Sequence, residues 1–405
     1  MTANPRLLVA LGTLQFTLFP IPIITLFWKD QIGLSLADIF LLQAVFGLAV
    51  VLLQFPSGYV ADRVGYRRSL LVGAALLSAG WLIYTGATSF AGVMVAEVLL
   101  GGGSAFISGA DRALLWVSLE ADGRQSQYTR WDGRVRAAAQ VGEAGSAAIG
   151  GWLYSLAPRL PFWLQVPVSL LAAGIMGALR EVPRRDGPGA HRSHLARALH
   201  VVRFTLWHHR RLQAAMVLSV ALGLSTFVVI WLIQPAAQAR GVPPAWFGPL
   251  WAGAHAWLAL VSLASARVVR ALGVRATLLA CCLLVPLGYV GLAASTSAWG
   301  LGFYLCFMTI RGLQAPILTR IMQEHAPGED RASVLSLAAL LFRLAFVVVG
   351  PPVGLLADRA GMPAALGVLA VVFTAATLAA LGAFSRAHRG ASVALDPDIR
   401  SRPKT

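Results

Sequence analysis

Twelve apolar segments follow one another along this chain, and each is long enough to cross a lipid bilayer. The hydrocarbon core of a bilayer is roughly 30 Å thick, so a spanning helix needs about 20 apolar residues. A bilayer offers no water to backbone groups, so such segments must be helical. The series therefore predicts an all-α membrane protein with twelve transmembrane helices. The segments are Leu7–Phe27, Leu36–Val60, Ser69–Thr88, Ala91–Ser118, Val135–Leu156, Phe162–Leu179, Gln213–Gln234, Phe247–Val269, Ala276–Ala294, Trp299–Met322, Ala332–Leu356 and Pro363–Phe384.

The basic residues indicate the orientation of these helices. A net charge of +16 would suggest a nucleic-acid partner in a soluble protein, but only 12% of the residues are charged, against about 25% in soluble domains. Positive loops stay in the cytoplasm, so both termini are expected there, in a multi-pass protein of the plasma (inner) membrane that binds no nucleic acid. The scarcity of lysine beside arginine indicates a GC-rich genome and favours a bacterial source. The outer loops carry only Lys29, Arg159, Arg240 and Arg359.

A change of composition divides the chain into two halves. Between Arg180 and Arg211, proline, glycine, histidine and arginine replace the apolar residues. We predict a six-helix bundle over residues 1–181, a basic cytoplasmic linker over 182–211, a second six-helix bundle over 212–386 and a disordered cytoplasmic tail over 387–405. Apolar residues at helical spacing in the linker predict an amphipathic helix on the inner membrane surface; they are Leu195, Leu199, Val202 and Leu206.

Enzymatic chemistry has no basis in this sequence. The chain contains no phosphate-binding lysine loop, no nucleophile elbow and no spacing of metal ligands. Its three cysteines, Cys281, Cys282 and Cys306, all lie inside apolar segments, where a disulfide framework is not expected. We therefore expect neither an enzyme, nor a cofactor, nor a bound metal.

A short charged motif joins segments 2 and 3. Its acid lies at a helix C-terminus and its arginine pair at a helix N-terminus, and both placements oppose the helix dipole. Local helix stability therefore does not explain the motif, whereas its glycines allow close helix contact and a tight turn. The pattern G-x-x-x-D-R-x-G-x-R-R is formed by Gly58, Asp62, Arg63, Gly65, Arg67 and Arg68.

This motif resembles the loop 2–3 signature of the major facilitator superfamily. The resemblance implies two pseudo-symmetric six-helix bundles, a small-molecule substrate moved by alternating access, and a gating role for the loop on the cytoplasmic side. Helices 1, 4, 7 and 10 of that family surround a central cavity. Carried over to this chain, the cavity would be lined by polar and aromatic residues of those segments, namely Gln15, Phe16, Phe227, Trp231, Tyr304 and Gln314.

Segments 4, 5 and 10 also resemble the drug:proton antiporters of the same superfamily. Segment 5 keeps three glycines of the antiporter pattern, Gly142, Gly150 and Gly151, but lacks its proline. In segment 4, Glu97 stands where the antiporters have arginine. Segment 10 contains a sequence similar to the same antiporter pattern, and there the arginine is present as Arg311. This partial resemblance implies an exporter, and the exchange of arginine for glutamate leaves the family's proton coupling open.

Charged residues inside the apolar segments are candidates for proton coupling or for buried ion pairs, because an unpaired charge at the bilayer centre costs about 2.5–3.5 kcal/mol on insertion scales. Glu143 is the first candidate for a proton carrier and Glu97 the second. Alternatively, Arg112 holds Glu143 permanently ionised in a buried pair between helices 4 and 5. The full set is Glu97, Asp111, Arg112, Glu143, Arg311 and Arg343.

Three functions fit these features. The first is a monomeric secondary transporter that exports a small molecule, such as a drug or metabolite, in exchange for protons. The second is a proton-coupled or facilitative importer of a small polar or anionic nutrient, which would use Arg311 and Arg343. The third is a sensor or assembly partner with the same fold and no transport. The sequence favours the first.

The motif between segments 2 and 3 gives a testable prediction. Asp62 is expected to contact the N-terminal end of helix 11, near Asp330–Ser333, or a basic residue of helix 4 when the cytoplasmic side is closed. There it offsets a positive helix end and stabilises the outward-open state. Asp62→Asn should reduce transport and leave expression nearly unchanged. Transport at the wild-type rate by this variant would exclude the gating role.

Overall fold

The computed structural model of the chain describes residues 3–182, 203–327 and 331–388. Within these ranges the chain forms helices and no strands. A few helical residues, Asp62 among them, have side chains outside the described structure. The membrane helices are α1 (Asn4–Gln31), α2 (Leu36–Val64), α3 (Tyr66–Gly86), α4 (Phe90–Ala121), α5 (Tyr128–Leu156), α6 (Leu160–Ala178), α7 (Arg210–Ala239), α8 (Phe247–Leu272), α9 (Val274–Ala294), α10 (Tyr304–His325), α11 (Arg331–Ala360) and α12 (Met362–Ala387).

The described helices confirm the predicted all-α membrane architecture. Eleven of them are long and apolar enough to cross a membrane. The twelfth, α5, packs among the others although its inner half carries several charged residues, including Arg130, Asp132, Arg134 and Arg136. Those charges place the inner turns of α5 beyond the hydrocarbon core, because charged side chains are expensive inside it.

Two of the helices are interrupted. In α1 the regular helix stops at Phe16 and resumes in irregular turns from Ile21, across the segment that contains Pro20 and Pro22. Proline has no N–H to donate, so the helical hydrogen bonds cannot continue through this segment. In α4 the break falls at Ser108–Gly109, where Gly109 has φ +92°. The sequence predicted both of these helices as continuous spans, and the structure corrects both predictions.

The two groups of six helices, α1–α6 and α7–α12, meet at their outer ends. Asp358, near the end of α11, accepts hydrogen bonds from the backbone N–H groups of Leu36 (3.0 Å) and Ala37 (2.8 Å). These N–H groups belong to the first turn of α2, where a carboxylate also offsets the helix dipole. The contact therefore caps α2 with a residue of the opposite half.

Aromatic and glycine contacts extend this closure. Trp28 stacks on Trp231 with ring centroids 6.0 Å apart, and both belong to one apolar core that joins the halves. Between α5 and α8 the backbones approach so closely that a Cβ at Gly151 would overlap the carbonyl oxygen of Pro244, and one at Gly248 that of Ala147. Glycine lets the helices pack at this distance.

The inner ends of the halves are not joined in the same way. The inner part of the first half has a separate apolar core, which includes Leu8, Leu70, Leu114 and Met176. Within the described residues, the hydrogen bonds that cross between the halves lie at the outer ends. The structure is therefore closed toward the outside.

The loop between α2 and α3 is held by a residue that the sequence did not single out. Gly65 turns the chain at φ +112°, and the Glu181 carboxylate accepts from the backbone N–H groups of Tyr66 (3.0 Å) and Arg67 (2.8 Å). The Arg67 side chain in turn donates to the carbonyl oxygen of Gly177 at the end of α6 (2.6 Å). Glu181 thus lies at a positive helix end and the Arg67 side chain at a negative one, which removes the apparent conflict with the helix dipole for Arg67.

The expectation for Gly58 is wrong, and the expectation for Asp62 is not tested. The close helix contact expected at Gly58 is absent, because a Cβ there would have no neighbour within 4 Å among the described residues. Arg63 lies over the ring of Tyr59, 5.4 Å from its centroid. The predicted contact of Asp62 with residues 330–333 lies outside the described structure, as does the linker segment with Leu195, and both stay predictions.

Three histidines line up at the inner ends of the second half. His209 precedes α7, His325 ends α10 and His388 follows α12; the ring centroids are 5.8 Å apart between the first two and 5.3 Å between the last two. Burial lowers the pKa of His209 and that of His388, and the nearby Arg211 guanidinium acts in the same direction on both. Arg275 donates to the His388 carbonyl oxygen (3.1 Å). The folded state therefore favours the neutral imidazoles of His209 and His388.

This cluster predicts a loss of stability in acid. Below the ordinary histidine pKa of about 6.5, the unfolded chain binds protons more readily than the folded chain does. The free energy of unfolding therefore decreases as the pH is lowered. Between about pH 8 and about pH 5.5 the wild-type melting temperature should fall more than that of His388→Phe. The measurement is thermal unfolding in detergent at both pH values. Parallel losses in the two proteins would contradict the role of His388.

Candidate functional site

The first candidate site is a cavity of about 330 Å³ inside the first half, which we call the first-half cavity. It is of the size that accommodates a small molecule. Its wall includes residues of α1, α2, α3, α4 and α6, and two residues of α7 complete it from the other half. Four of the predicted site residues lie here, namely Gln15, Glu97, Phe227 and Trp231.

The interruption of α1 forms one wall of this cavity. The Gln165 side chain of α6 accepts from the Phe19 N–H (3.2 Å) and donates to the Thr17 carbonyl (2.9 Å). The Ser146 hydroxyl of α5 accepts from the Leu18 N–H (2.9 Å). These side chains replace the lost helical hydrogen bonds, which inside a membrane would otherwise stay unmade. Gln165 was not among the predicted site residues, although a polar residue in an apolar span is itself an indication of function.

Glu97 is the buried acid of this cavity. It is 3% exposed, and its two oxygens accept hydrogen bonds from the Tyr84 hydroxyl and from the Gln43 amide (3.1 Å). Within the described part of the chain, no lysine or arginine pairs with its carboxylate. Glu97 is therefore held by neutral donors only. Tyr84 and Gln43 are further residues that the sequence analysis did not identify.

A second cavity of about 540 Å³ lies in the other half, and we call it the second-half cavity. Arg311 and Gln314 of α10 line it, and Phe227 lines both cavities. The Nη1 atom of Arg311 and the Oε1 atom of Gln314 are buried and have no hydrogen-bond partner among the described residues. This cavity thus contains polar groups that nothing in the described protein satisfies.

The expected ion pair between Arg112 and Glu143 is not formed, and this prediction is corrected. Arg112 is exposed and points toward Asp132, with 3.9 Å between Nε and Oδ1. Glu143 instead faces His255 of α8, with 3.8 Å between Oε1 and Nε2. The break in α4 starts a new helical segment before Arg112, so Arg112 does not continue the straight helix that the predicted pair with Glu143 required. Asp111 accepts from the Arg112 backbone N–H (2.7 Å).

The three antiporter-like glycines of α5 all lie at close backbone contacts. A Cβ at Gly142 or Gly150 would overlap a carbonyl oxygen of α1, from Thr13 or Phe19 respectively. Gly151 makes its contact across the halves, as described above. The glycines therefore bring α5 against both α1 and α8, which places Glu143 at the boundary between the halves.

The remaining predicted cavity residues lie elsewhere. Tyr304 lines a third, apolar cavity of about 410 Å³ near the outer ends of α7, α8 and α10, and its hydroxyl has no partner among the described residues. Phe16 is 44% exposed. Arg343 is half-buried in α11 and lines none of the three cavities.

Two helical bundles that close at one face around internal cavities define a membrane carrier. The chain belongs to the major facilitator superfamily: residues 7–349 match the sequence model of that family. This confirms the family predicted from the loop motif. The bacterial relatives and the membrane helices agree with a bacterial inner-membrane protein.

The sequence identity to individual proteins is low. Quinolone resistance protein NorA of Staphylococcus aureus (strain MRSA252) is 24% identical over 224 residues, 55% of each chain, so the match spans about half of that relative. The nucleoside transporter NupG has a TM-score of 0.77 at 13% identity, over 95% of this chain and all of the other. A bacterial homologue of the human lysosomal transporter Spinster, in an inward-facing and occupied conformation, has a TM-score of 0.73 at 14% identity, over 95% and 96% of the chains. These structures share the fold.

The bridge across α1 gives a testable prediction. Gln165→Leu keeps the size of the side chain but leaves an N–H and a carbonyl of α1 unsatisfied, which costs about 1–3 kcal/mol per buried group. The variant should unfold at a clearly lower temperature than wild type in detergent. Gln140→Leu, at an exposed position of α5, is the matched control and should unfold like wild type. Equal melting temperatures for the two variants would show that Gln165 does not bridge the break.

Proposed function

We propose that this carrier exports small amphipathic molecules and couples their export to proton influx through Glu97. The observation that carries the proposal is a buried carboxylate, without a basic partner in the described residues, on the wall of the first-half cavity. Ionisable groups inside membrane helices are expensive, and in pumps and transporters they serve as proton relays. A carboxylate held only by neutral donors is free to gain and lose a proton.

The cavity wall supports an amphipathic substrate. Trp81, Phe46, Phe227 and Trp231 give it large apolar surfaces. The amide Nε2 of Gln15 and the indole Nε1 of Trp231 are buried without partners among the described residues, so they are available to donate hydrogen bonds. A mostly apolar pocket with a few unsatisfied polar groups is typical of small-molecule sites.

The conformation supports loading from the cytoplasm. The halves are joined at their outer ends while the inner core of the first half is separate, so substrate can enter from the inner side. In the other state of the cycle the outer contacts open and Glu97 meets external protons. Proton binding and substrate binding then favour different states, which is what exchange of the two requires. The relative NorA, named for quinolone resistance, agrees with export.

Glu143 is the alternative carrier that the sequence favoured. It lies between the halves, where its contact with His255 (3.8 Å) would change when they move. Glu97 is preferred because it lines the first-half cavity, whereas Glu143 lines none of the three cavities described above.

Uptake of a small anion is a second candidate function. Arg311 supports it, because its cavity could hold an anion whichever way the carrier runs. Everted vesicles decide the direction: an energised exporter accumulates its substrate inside them, and an importer does not. A sensor or assembly partner without transport would show no flux that depends on the proton gradient.

Neutralising Glu97 should separate coupling from binding. Glu97→Gln keeps the size of the side chain and one acceptor oxygen but cannot exchange a proton. In everted vesicles, with a fluorescent quinolone as the probe, the variant should lose accumulation driven by the proton gradient, by about tenfold or more, and should keep gradient-free exchange of the same probe.

Glu143→Gln is the matched control and should keep at least half of the driven accumulation. Loss of driven accumulation in Glu143→Gln, with Glu97→Gln active, would assign the carrier to Glu143 and overturn this proposal.

A further inference from the structure

The second-half cavity holds a positive charge that no described residue neutralises. Arg311 is half-buried near the middle of the membrane, and its Nη1 atom has no hydrogen-bond partner among the described residues. A guanidinium stays charged at any physiological pH. A charge in that position requires either a counter-ion or water.

The described carboxylates of the second half do not supply that counter-ion. In its described residues they are Glu324 and Asp358. Glu324 lies at the inner end of α10 and accepts from Arg320 (2.6 Å), and Asp358 caps α2 at the outer face. Both are engaged, and both lie at the ends of the membrane helices.

The acids of the first half are also engaged in this conformation. Glu97 accepts from Tyr84 and Gln43, and Glu143 faces His255. Asp111 accepts from the backbone of its own helical segment. While the outer side is closed, the charge of Arg311 is therefore left to water or to a bound anionic ligand.

The surroundings of Arg311 indicate what that ligand looks like. Phe227 and Phe342 meet edge to face on the cavity wall, with ring centroids 5.3 Å apart, and Leu258 and Met322 add apolar surface. Gln314, one turn along α10, lines the same cavity and is 8% exposed, and its Oε1 atom has no partner among the described residues. The volume of about 540 Å³ exceeds what a small inorganic anion needs.

We infer that the substrate is an aromatic acid whose carboxylate binds Arg311 and whose ring packs against Phe227 and Phe342. Arginine can hold a carboxylate through two parallel hydrogen bonds, which gives both charge and orientation. Gln314 binds a neighbouring polar group of the ligand. The inference rests on the proposed transport function and adds the chemical class of its substrate. Because Phe227 lines both cavities, the bound acid lies next to the cavity that contains Glu97.

Binding to the purified full-length protein in detergent tests this inference without transport. The probes are naphthoate and its neutral analogue naphthamide, which differ in charge and share the ring. Calorimetry at neutral pH should show that wild type binds naphthoate at least about tenfold more tightly, since a hydrogen bond to a charged group contributes that much. Arg311→Gln should lose this preference and still bind naphthamide, which also shows that the variant is folded.

Two further variants sharpen the result. Arg311→Lys keeps the charge without the planar fork and should retain part of the preference. Arg320→Gln removes an arginine of the same helix that lies outside the cavity, and it should bind like wild type. Equal affinities of wild type for the two probes, or a preference that survives in Arg311→Gln, would overturn the inference.

The outcomes also separate this inference from the proposed function. Driven accumulation of the quinolone without any preference for naphthoate would remove the inference alone. A preference for naphthoate that depends on Arg311, without driven accumulation, would remove proton-coupled export alone.

Discussion

The absence of water in the bilayer governs this structure, because every interruption of a helix must be repaired by a side chain. The clearest case is α1, which is broken near the centre of the membrane. Gln165 of the same half bridges one side of the break. Gln234 of the opposite half accepts from the Thr25 N–H and donates to the Ile21 carbonyl, each at 3.0 Å. The broken helix is therefore completed partly by its own bundle and partly by the other one.

This arrangement links the local structure of α1 to the closure of the outer side. When the halves separate outside, the two backbone groups held by Gln234 lose their partner, and water must replace it. The same movement breaks the cap that Asp358 places on α2. When such a carrier changes state, hydrogen bonds between its halves are replaced by hydrogen bonds to water. Because the two kinds of hydrogen bond are similar in energy, the exchange favours neither state strongly. The break in α1 also lines the first-half cavity, so the proposed substrate site adjoins an element that joins the halves.

The candidate site was only partly predictable from the sequence. Counting charges inside apolar segments found Glu97 and Arg311, because a buried charge is conspicuous in such a composition. The expected pair of Arg112 with Glu143 was wrong, since it assumed straight helices and α4 breaks at Gly109. The sequence also did not show that neutral residues, Tyr84 and Gln43, hold Glu97. A hydrogen bond between helices joins residues far apart in the chain, and no local pattern records it.

By itself, the sequence determined the class of this protein: the number of its helices, their orientation and the family to which they belong. Those properties depend on local quantities, namely segment length, hydropathy, loop charge and a short motif, which act on each segment separately. The tertiary structure alone decided which side is closed, that Phe227 joins two cavities and that Tyr304 lies in a third. Those properties depend on how the helices rotate and break, which is set by packing between distant segments. The role of a glycine or a glutamine in such a contact is visible only once its neighbour on another helix is known.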